Sequence, residues 1–307
     1  MENKDGFLLN YNSASALKSF LGEEGLGMRK KFGQNFLINP VVRNALANAL
    51  CAHKGDEIWE IGPGLGAMTA ALLENGMKVR AFEIDAGFIR VLKRLFCGQE
   101  NFCLVEGDVM KTWGAAARQA AAQSAAQQAN FLMGNLPYNI AASLLADMIE
   151  KGRVFSRVVV TVQKEVALRM AASAGSPDYS SFSVLCSSVY RVKPLMLIHP
   201  SSFYPRPNVD SMGVLLEKIN PPPLYPKTFY PLVRSLFASR RKTVKNNLSA
   251  FIASRFGNAR TGRGDSTVKE ICAGVLCENS LTGNERAETL HADVFLSIAN
   301  SIENMRL

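Results

Sequence analysis

Gly62, Gly64 and Gly66 in the stretch EIGPGLGAMT follow a short apolar run and open a segment of helical spacing. Glycines placed this way let backbone N–H groups approach a nucleotide-like ligand with no side chain in between. Counted with Ala67, Gly62 and Gly64 also satisfy the G-x-G-x-x-A form of a dinucleotide fingerprint, so a dehydrogenase stays open on these residues alone, as does a plain structural turn. Glu83, in AFEID, lies 17 residues past Gly66 at the end of the next apolar run, where a carboxylate can accept from both hydroxyls of a ribose. Asp108 closes the run FCLVEGD, where it can accept from an adenine amino group. Either acid alone could be a solvated strand end. Together, at the ends of successive strands, they mark the crevice in which open α/β sheets bind ligands.

Asn135, Leu136, Pro137 and Tyr138 in FLMGNLPYNI bring an amide, a carbonyl held by the following proline and an aromatic ring to another expected strand end. Nicotinamide chemistry has no use for this set. The exocyclic amine of adenine is a poor nucleophile, because its lone pair is delocalised into the ring. The side-chain oxygen of Asn135 and the backbone carbonyl of Leu136 could each accept one amine N–H and aim the lone pair at an electrophile, with Tyr138 stacked on the base. A loop punctuated by Asn and Pro is the other reading of an N-x-P-Y string. Its place after the glycine turn, Glu83 and Asp108 favours the chemical one.

These residues need strands that end together. Apolar residues from Val41 to Leu50 recur at helical spacing, and EIWEI reads as a strand running into the glycine turn. KVRAFEID as strand, residues 86–96 as helix, FCLVEGD, FLMGNLPY and RVVVTVQ as strands continue the alternation, which implies a mostly parallel sheet with helices on both faces. The Ala/Gln-rich segment 114–130 is expected as a solvent-facing helix or a loose insertion. Residues 1–27 are polar, with Leu17, Phe20 and Leu21 suggesting a short helix on the surface and no recognisable chemistry. The proline-rich INPPPLYPK reads as a stiff connector into a small helical domain. The expected domains are therefore an extension over 1–27, a catalytic domain over 28–217 and a helical domain over 218–307.

Apolar residues make up 48% of the chain and charged residues 20%, which excludes a disordered protein. Apolar stretches such as Val158 to Val162 have the length of buried strands rather than bilayer spans. Glu2, Asp5, Glu23 and Glu24 argue against a transit peptide, and no apolar segment follows the first lysine, so a cytoplasmic protein without membrane association is expected. Cys51, Cys97, Cys103, Cys186, Cys272 and Cys277 show no C-x-x-C spacing and only three histidines accompany them, so reduced, mostly core thiols and no metal site are expected. Charge is unevenly divided. Residues 1–150 hold 14 Lys and Arg against 15 Asp and Glu, whereas residues 151–307 hold 21 against 11. A surplus confined to one half fits a polyanionic partner, although a merely basic surface also has this signature. Arg240, Arg241, Lys242 and Lys245, with Arg234 ahead of them, concentrate that charge on an expected helix.

The chain resembles the ribosomal RNA adenine dimethyltransferases, and within them the bacterial small-subunit branch. The resemblance is carried by KKFGQNFL, EIGPGLG, FEID, EGD, NLPYNI, VQKEVALR, FYPRPNVDS and SRRKTVKNNL, in order, from about residue 30 to 250. It implies a Rossmann-like class I methyltransferase fold with a seven-stranded sheet and a helical C-terminal domain that binds RNA. It also implies S-adenosyl-L-methionine as cofactor, contacted by Asn35 and Leu37 beside Gly62, Gly64, Glu83, Asp108 and Asn135. Phe203, opening F-x-P-x-P-x-V-D-S, would be a second aromatic packed on a flipped adenine, while between Pro200 and Pro205 it also reads as ordinary loop packing. The basic cluster would contact RNA phosphates. The Ala/Gln segment, the loop SAGSPDYSSFS and residues 255–307 depart from the family pattern.

The expected activity is dimethylation of N6 in two adjacent adenosines of the 3′-terminal hairpin loop of 16S rRNA, by a monomer acting on the small ribosomal subunit or its precursor during subunit biogenesis. Three other readings stand beside it. A 23S rRNA methyltransferase of the macrolide-resistance type would share the fold and chemistry. A non-catalytic assembly factor would bind RNA without methyl transfer, and a dehydrogenase would leave Asn135 to Tyr138 unexplained.

Overall fold

A computed structural model of the chain describes residues 9–27, 34–123, 130–138, 140–221, 223–256 and 265–305. Residues 30–33 of KKFGQNFL and 124–129 of the Ala/Gln segment lie outside them. The strands are β1 (Phe36–Leu37), β2 (Glu57–Ile61), β3 (Lys78–Glu83), β4 (Phe102–Glu106), β5 (Phe131–Asn135), β6 (Arg157–Gln163), β7 (Tyr190–Ile198), β8 (Phe203–Tyr204) and β9 (Ser211–Lys218). The helices are α1 (Ala14–Glu23), α2 (Pro40–Ala49), α3 (Ala67–Glu74), α4 (Ala86–Leu95), α5 (Val109–Gln123), α6 (Ala141–Glu150), α7 (Lys164–Ala171), α8 (Ser181–Val189), α9 (Phe229–Phe237), α10 (Val244–Phe256), α11 (Asp265–Glu278) and α12 (Ala292–Asn304).

Seven strands form one sheet in the order β4-β3-β2-β5-β6-β9-β7. The first five run parallel, and β9 runs antiparallel to β6 with Val159 opposite Leu215. The central strands are buried on both faces, which is why β6 reads as a near-continuous apolar run, while the edge strand β4 exposes Cys103 and Glu106. Strand order reverses between β2 and β5, the switch point at which such sheets open a crevice. In register, Glu83 stands beside Glu106 and Asn135 beside Thr161, so the carboxyl ends of these strands share one edge of the sheet. Gly134 is required there by close packing, since a Cβ on it would lie 2.6 Å from the carbonyl oxygen of Ile61.

Backbone contacts divide the chain into two units, one of residues 1–148, 153–167 and 192–218, the other of residues 149–152, 168–191 and 219–307. The first unit contains the sheet. Leu17, Phe20 and Leu21 of α1 are members of its core rather than a surface feature, because a three-residue apolar stripe needs a partner face and finds it against the body of the unit. The second unit is helical. Phe229, Val233, Val244, Leu248, Val275, Phe295 and Ile298 form its core together with Tyr179 and Val184. Residues 168–191, which follow β6 in the chain, cluster here because Tyr179 and Val184 belong to this core and the Tyr179 hydroxyl donates to the carbonyl of Leu290 at 3.0 Å.

The cysteines correct one expectation. All six are free, but Cys51, Cys97, Cys103 and Cys277 are exposed and only Cys186 and Cys272 are buried. Cysteine packs as a small apolar residue wherever space allows, and most of these positions fall at turns or on outer helix faces instead. Among the described residues no group of three His, Cys, Asp or Glu is arranged to hold a metal ion, and no helix is long and apolar enough to cross a membrane.

Candidate active site

The turn after β2 is held to the end of β3. Gly62 N–H donates to the carbonyl of Phe82 at 2.9 Å, and Gly64 N–H donates to Oε2 of Glu83 at 3.2 Å. Gly64 has φ +59°, and a Cβ there would lie 2.9 Å from the ring of Phe36, so both its backbone and its surroundings demand glycine. The other Glu83 oxygen accepts from the N–H groups of Ile84 and Asp85, each at 2.9 Å. Three backbone donors thus fix a carboxylate that is only 5% exposed. Burial nonetheless outweighs them and pushes its pKa up to about 7. Asp108 accepts from Met110 N–H at 3.0 Å, and its carbonyl accepts from Lys111 and Thr112, so it starts α5 from the end of β4.

A short N-terminal strap crosses these strand ends. Gln34 donates through Nε2 to Asp85 at 3.1 Å, Phe36 meets Phe88 edge-on at 5.5 Å, and Leu37 pairs with Phe203 in the β1–β8 ladder. Asn39 then caps α2, accepting from Val41 and Val42 with Pro40 in the first turn. The strap also fixes Asn135. Its Nδ2 donates to the carbonyl of Asn35 at 2.6 Å, which commits the nitrogen end of the amide and leaves the oxygen end as the acceptor. Beyond it, Leu136 N–H donates to the carbonyl of Thr161 at 3.0 Å and the Pro137 carbonyl accepts from Ile140 and Ala141. Tyr138 shares a 2.6 Å hydrogen bond with Ser211 of β9, and burial raises its pKa.

These groups enclose a cavity of about 330 Å³, within the size range of small-molecule sites. Asn35, Leu37, Gly62, Gly64, Glu83, Asp108, Asn135 and Pro137 all line it. Leu136 buries its side chain, which suits a residue whose expected role lies in its backbone carbonyl. Tyr138 is half-buried beside the lining rather than in it. Phe203 is 1% exposed, belongs to the core cluster of this unit and pairs with Leu37 in the β1–β8 ladder, outside the cavity lining.

Sequence reasoning missed Tyr11, Arg43 and Glu60, which also line the cavity. Tyr11 belongs to the segment assigned no chemistry, yet its hydroxyl donates to the carbonyl of Leu65 in the glycine turn at 3.1 Å. Glu60 is fully enclosed, takes a 2.6 Å hydrogen bond from Thr69, and has its pKa raised by burial to about 7. An acid inside the apolar strand EIWEI is a signal that could have been used, since a buried charge needs a reason.

In the helical unit the basic residues lie differently from the expected helix. Arg240, Arg241 and Lys242 occupy the turn between α9 and α10, with Arg234 on α9 and Lys245 in the first turn of α10. Thr243 accepts from Asn246 N–H at 3.4 Å, and Asn247 closes the corner by donating to the carbonyls of Leu236 and Ser239. Arg240 pairs with Glu288 at 2.9 Å and Arg234 with Glu150 at 2.8 Å, whereas Arg241, Lys242 and Lys245 are exposed.

Comparison with known proteins supplies the remaining observation. The model of the family described as ribosomal RNA adenine dimethylase matches residues 25–274. The chain belongs to this family. It is 43% identical over 98% of its length to ribosomal RNA small subunit methyltransferase A of Treponema denticola, covering 99% of that protein. Against the protein of the same name from Treponema pallidum (strain Nichols), identity is 42% over 95% of this chain and 97% of the relative. A dimethyladenosine transferase from Plasmodium falciparum superposes with a TM-score of 0.70 at 25% identity, over 88% of this chain and 98% of that one. The 23S rRNA methyltransferase ErmE shares the fold, with a TM-score of 0.57 at 16% identity over 87% of this chain and 99% of that one.

The fold is thus the Rossmann-like class I methyltransferase fold, and the enzyme is a ribosomal RNA adenine dimethyltransferase that uses S-adenosylmethionine. The cavity fits that cofactor. Glu83 is a fixed carboxylate at the end of β3 that could accept from a ribose, Asp108 an acceptor just past the neighbouring strand that could meet an adenine, and Gly64 a turn position with no room for a Cβ beside Phe36.

Proposed function

We propose that this enzyme dimethylates N6 of two adjacent adenosines in the 3′-terminal hairpin loop of 16S rRNA, within the small ribosomal subunit or its precursor. The observation that carries the chemistry is the Asn135 amide, anchored by its nitrogen to Asn35 at the cavity wall. The small-subunit target is supported by near-full-length similarity to proteins named small subunit methyltransferase A. Asn35, Leu37, Gly62, Gly64, Glu83, Asp108 and Asn135 hold the cofactor, which supplies an activated methyl on a sulfonium.

The Asn135 oxygen and the Leu136 carbonyl accept the two amine hydrogens of the adenine and direct its lone pair outward. Pro137 stiffens that carbonyl, and Tyr138, tethered to Ser211, packs on the base. A strong general base is unnecessary, because the amine proton becomes acidic only as the new C–N bond forms. Reaching N6 requires the base to leave its stack, which is easiest in a loop. Arg234, Arg240, Arg241, Lys242 and Lys245 contact RNA phosphates. The protein acts as a monomer in the cytoplasm, where subunits mature.

Incubation with labelled S-adenosylmethionine and separated, under-methylated ribosomal subunits tests this reading. Label is expected in small-subunit rRNA. Label confined to the large subunit would favour the 23S reading, and RNA binding without label the assembly-factor reading.

A further inference from the structure

The cavity contains a cation that the proposed chemistry does not use. Arg43, on α2, is 8% exposed and lines the cavity. Its Nη1 donates to the carbonyl of Leu37 at 2.8 Å and its Nη2 to the side-chain oxygen of Asn12. Both partners are neutral. Among the described residues no carboxylate lies within ion-pair distance of this guanidinium, and burial lowers its pKa, as expected of a desolvated charge without a counter-ion. A guanidinium has five N–H donors, so these bonds leave others available.

The charges around the cavity divide by sign. Its acids among the described residues are Glu60, Glu83 and Asp108, and its one basic side chain is Arg43. Glu83 and Asp108 stand at the ends of β3 and β4, on one side of the β2–β5 switch point. Arg43 is on α2, which packs against β6 on the other side of that point as well as against α3. A ligand with its nucleoside toward β3 and β4 and its sulfur near Asn135 must place its remaining end toward α2. For S-adenosylmethionine that end carries an ammonium and the molecule's single carboxylate.

We infer that Arg43 receives the α-carboxylate of the cofactor, held in place for it by Asn12 of the N-terminal segment and by the Leu37 carbonyl. The assignment rests on the cofactor reading above. It gives the segment around Tyr11 and Asn12 a function, since Tyr11 fixes the glycine turn at Leu65 while Asn12 fixes the arginine. A buried, charge-assisted hydrogen bond of this kind corresponds to a change in affinity of about 10- to 100-fold.

Calorimetric titration of the full chain tests this with three ligands: S-adenosylhomocysteine, its decarboxylated analogue and 5′-methylthioadenosine, which lacks the whole amino-acid end. The wild type is expected to bind S-adenosylhomocysteine at least about 10-fold more tightly than the decarboxylated analogue. Arg43→Met should remove that preference while leaving the affinity for 5′-methylthioadenosine unchanged. Equal wild-type binding of S-adenosylhomocysteine and its decarboxylated analogue would overturn the inference without recourse to any variant. So would an Arg43→Met protein that keeps the preference, or one that loses affinity for all three ligands equally while remaining folded. Failure of the wild type to bind any of them would instead remove the cofactor reading itself.

Discussion

The Asn135 amide is the clearest case of a residue whose role follows from what holds it. With Nδ2 bonded to Asn35, its oxygen is the end left to accept from an amine. Asn135→Ala should lower the single-turnover rate of methyl transfer by roughly 10²- to 10³-fold, the scale of removing one pre-organised hydrogen-bonding group from a reaction site. RNA affinity in a filter-binding assay should be unchanged. Gly64→Ala should weaken cofactor binding and destabilise the fold by about 1–3 kcal/mol, because a left-handed backbone and the Phe36 ring both oppose a side chain; calorimetry and thermal melting measure the two effects. Much of this site was legible in the sequence. Gly62, Glu83, Asp108 and Asn135 announce themselves through residue type at strand ends, and Asn35 and Leu37 through family resemblance. Tyr11 and Arg43 did not, because nothing in a polar N-terminal stretch or on one helix face specifies that the fold returns it to the glycine turn. The burial of Phe203 was not legible for a related reason: the motif gives the ring but not its surroundings.

At the scale of elements, the parallel strands were read from their correct first residues, since buried β-strands are rich in apolar residues, while the readings of β3, β4 and β5 ran past the observed ends into the turns that carry the site. β7 and β9 were not, because edge and antiparallel strands mix polar and apolar residues and their pairing depends on distant partners. The anchoring of Tyr138 on β9 is one product of that pairing. Tyr138→Phe should keep most activity, as the ring survives the loss of the Ser211 bond, whereas Tyr138→Ala should lose about 1–3 kcal/mol of base stacking, measured as kcat/KM on a loop oligonucleotide. The basic turn between α9 and α10 makes a separate prediction. Arg241 and Lys242 are exposed, while Arg240 is engaged with Glu288 and the carbonyl of Pro177. Replacing Arg241 and Lys242 together by Ala should reduce the slope of log affinity against log salt by about 1.4 to 1.8, two phosphate contacts' worth of counter-ions. Arg240→Ala should act more on the melting temperature of the helical unit. An unchanged salt slope in the double variant would move the RNA surface elsewhere.

For the whole molecule, charge sets both partner and pH response. The Lys and Arg surplus lies in residues 151–307, matching a polyanionic substrate, while the cavity itself is acidic. Glu60 and Glu83 are both raised by burial from an ordinary 4.5 to about 7. A raised carboxyl pKa means that the folded state binds the proton more tightly than the unfolded chain. Their contribution to stability is therefore fully present below pH 4.5 and is lost as pH rises through about 7. The cofactor-free enzyme should show a melting temperature that declines across this window, and Glu60→Gln should flatten the decline; a melting temperature that climbs over the same range would contradict the burial argument.

The central claim concerns what the molecule makes. Mass-spectrometric analysis of rRNA nucleosides, after incubation of under-methylated small subunits with the enzyme and S-adenosylmethionine, measures it most directly. The account predicts N6,N6-dimethyladenosine at two neighbouring positions of the 3′-terminal hairpin, strongly reduced over the same interval when Asn135→Ala replaces the wild type. Adenosines left unmodified by the wild type, or modified as fully by Asn135→Ala, would contradict it.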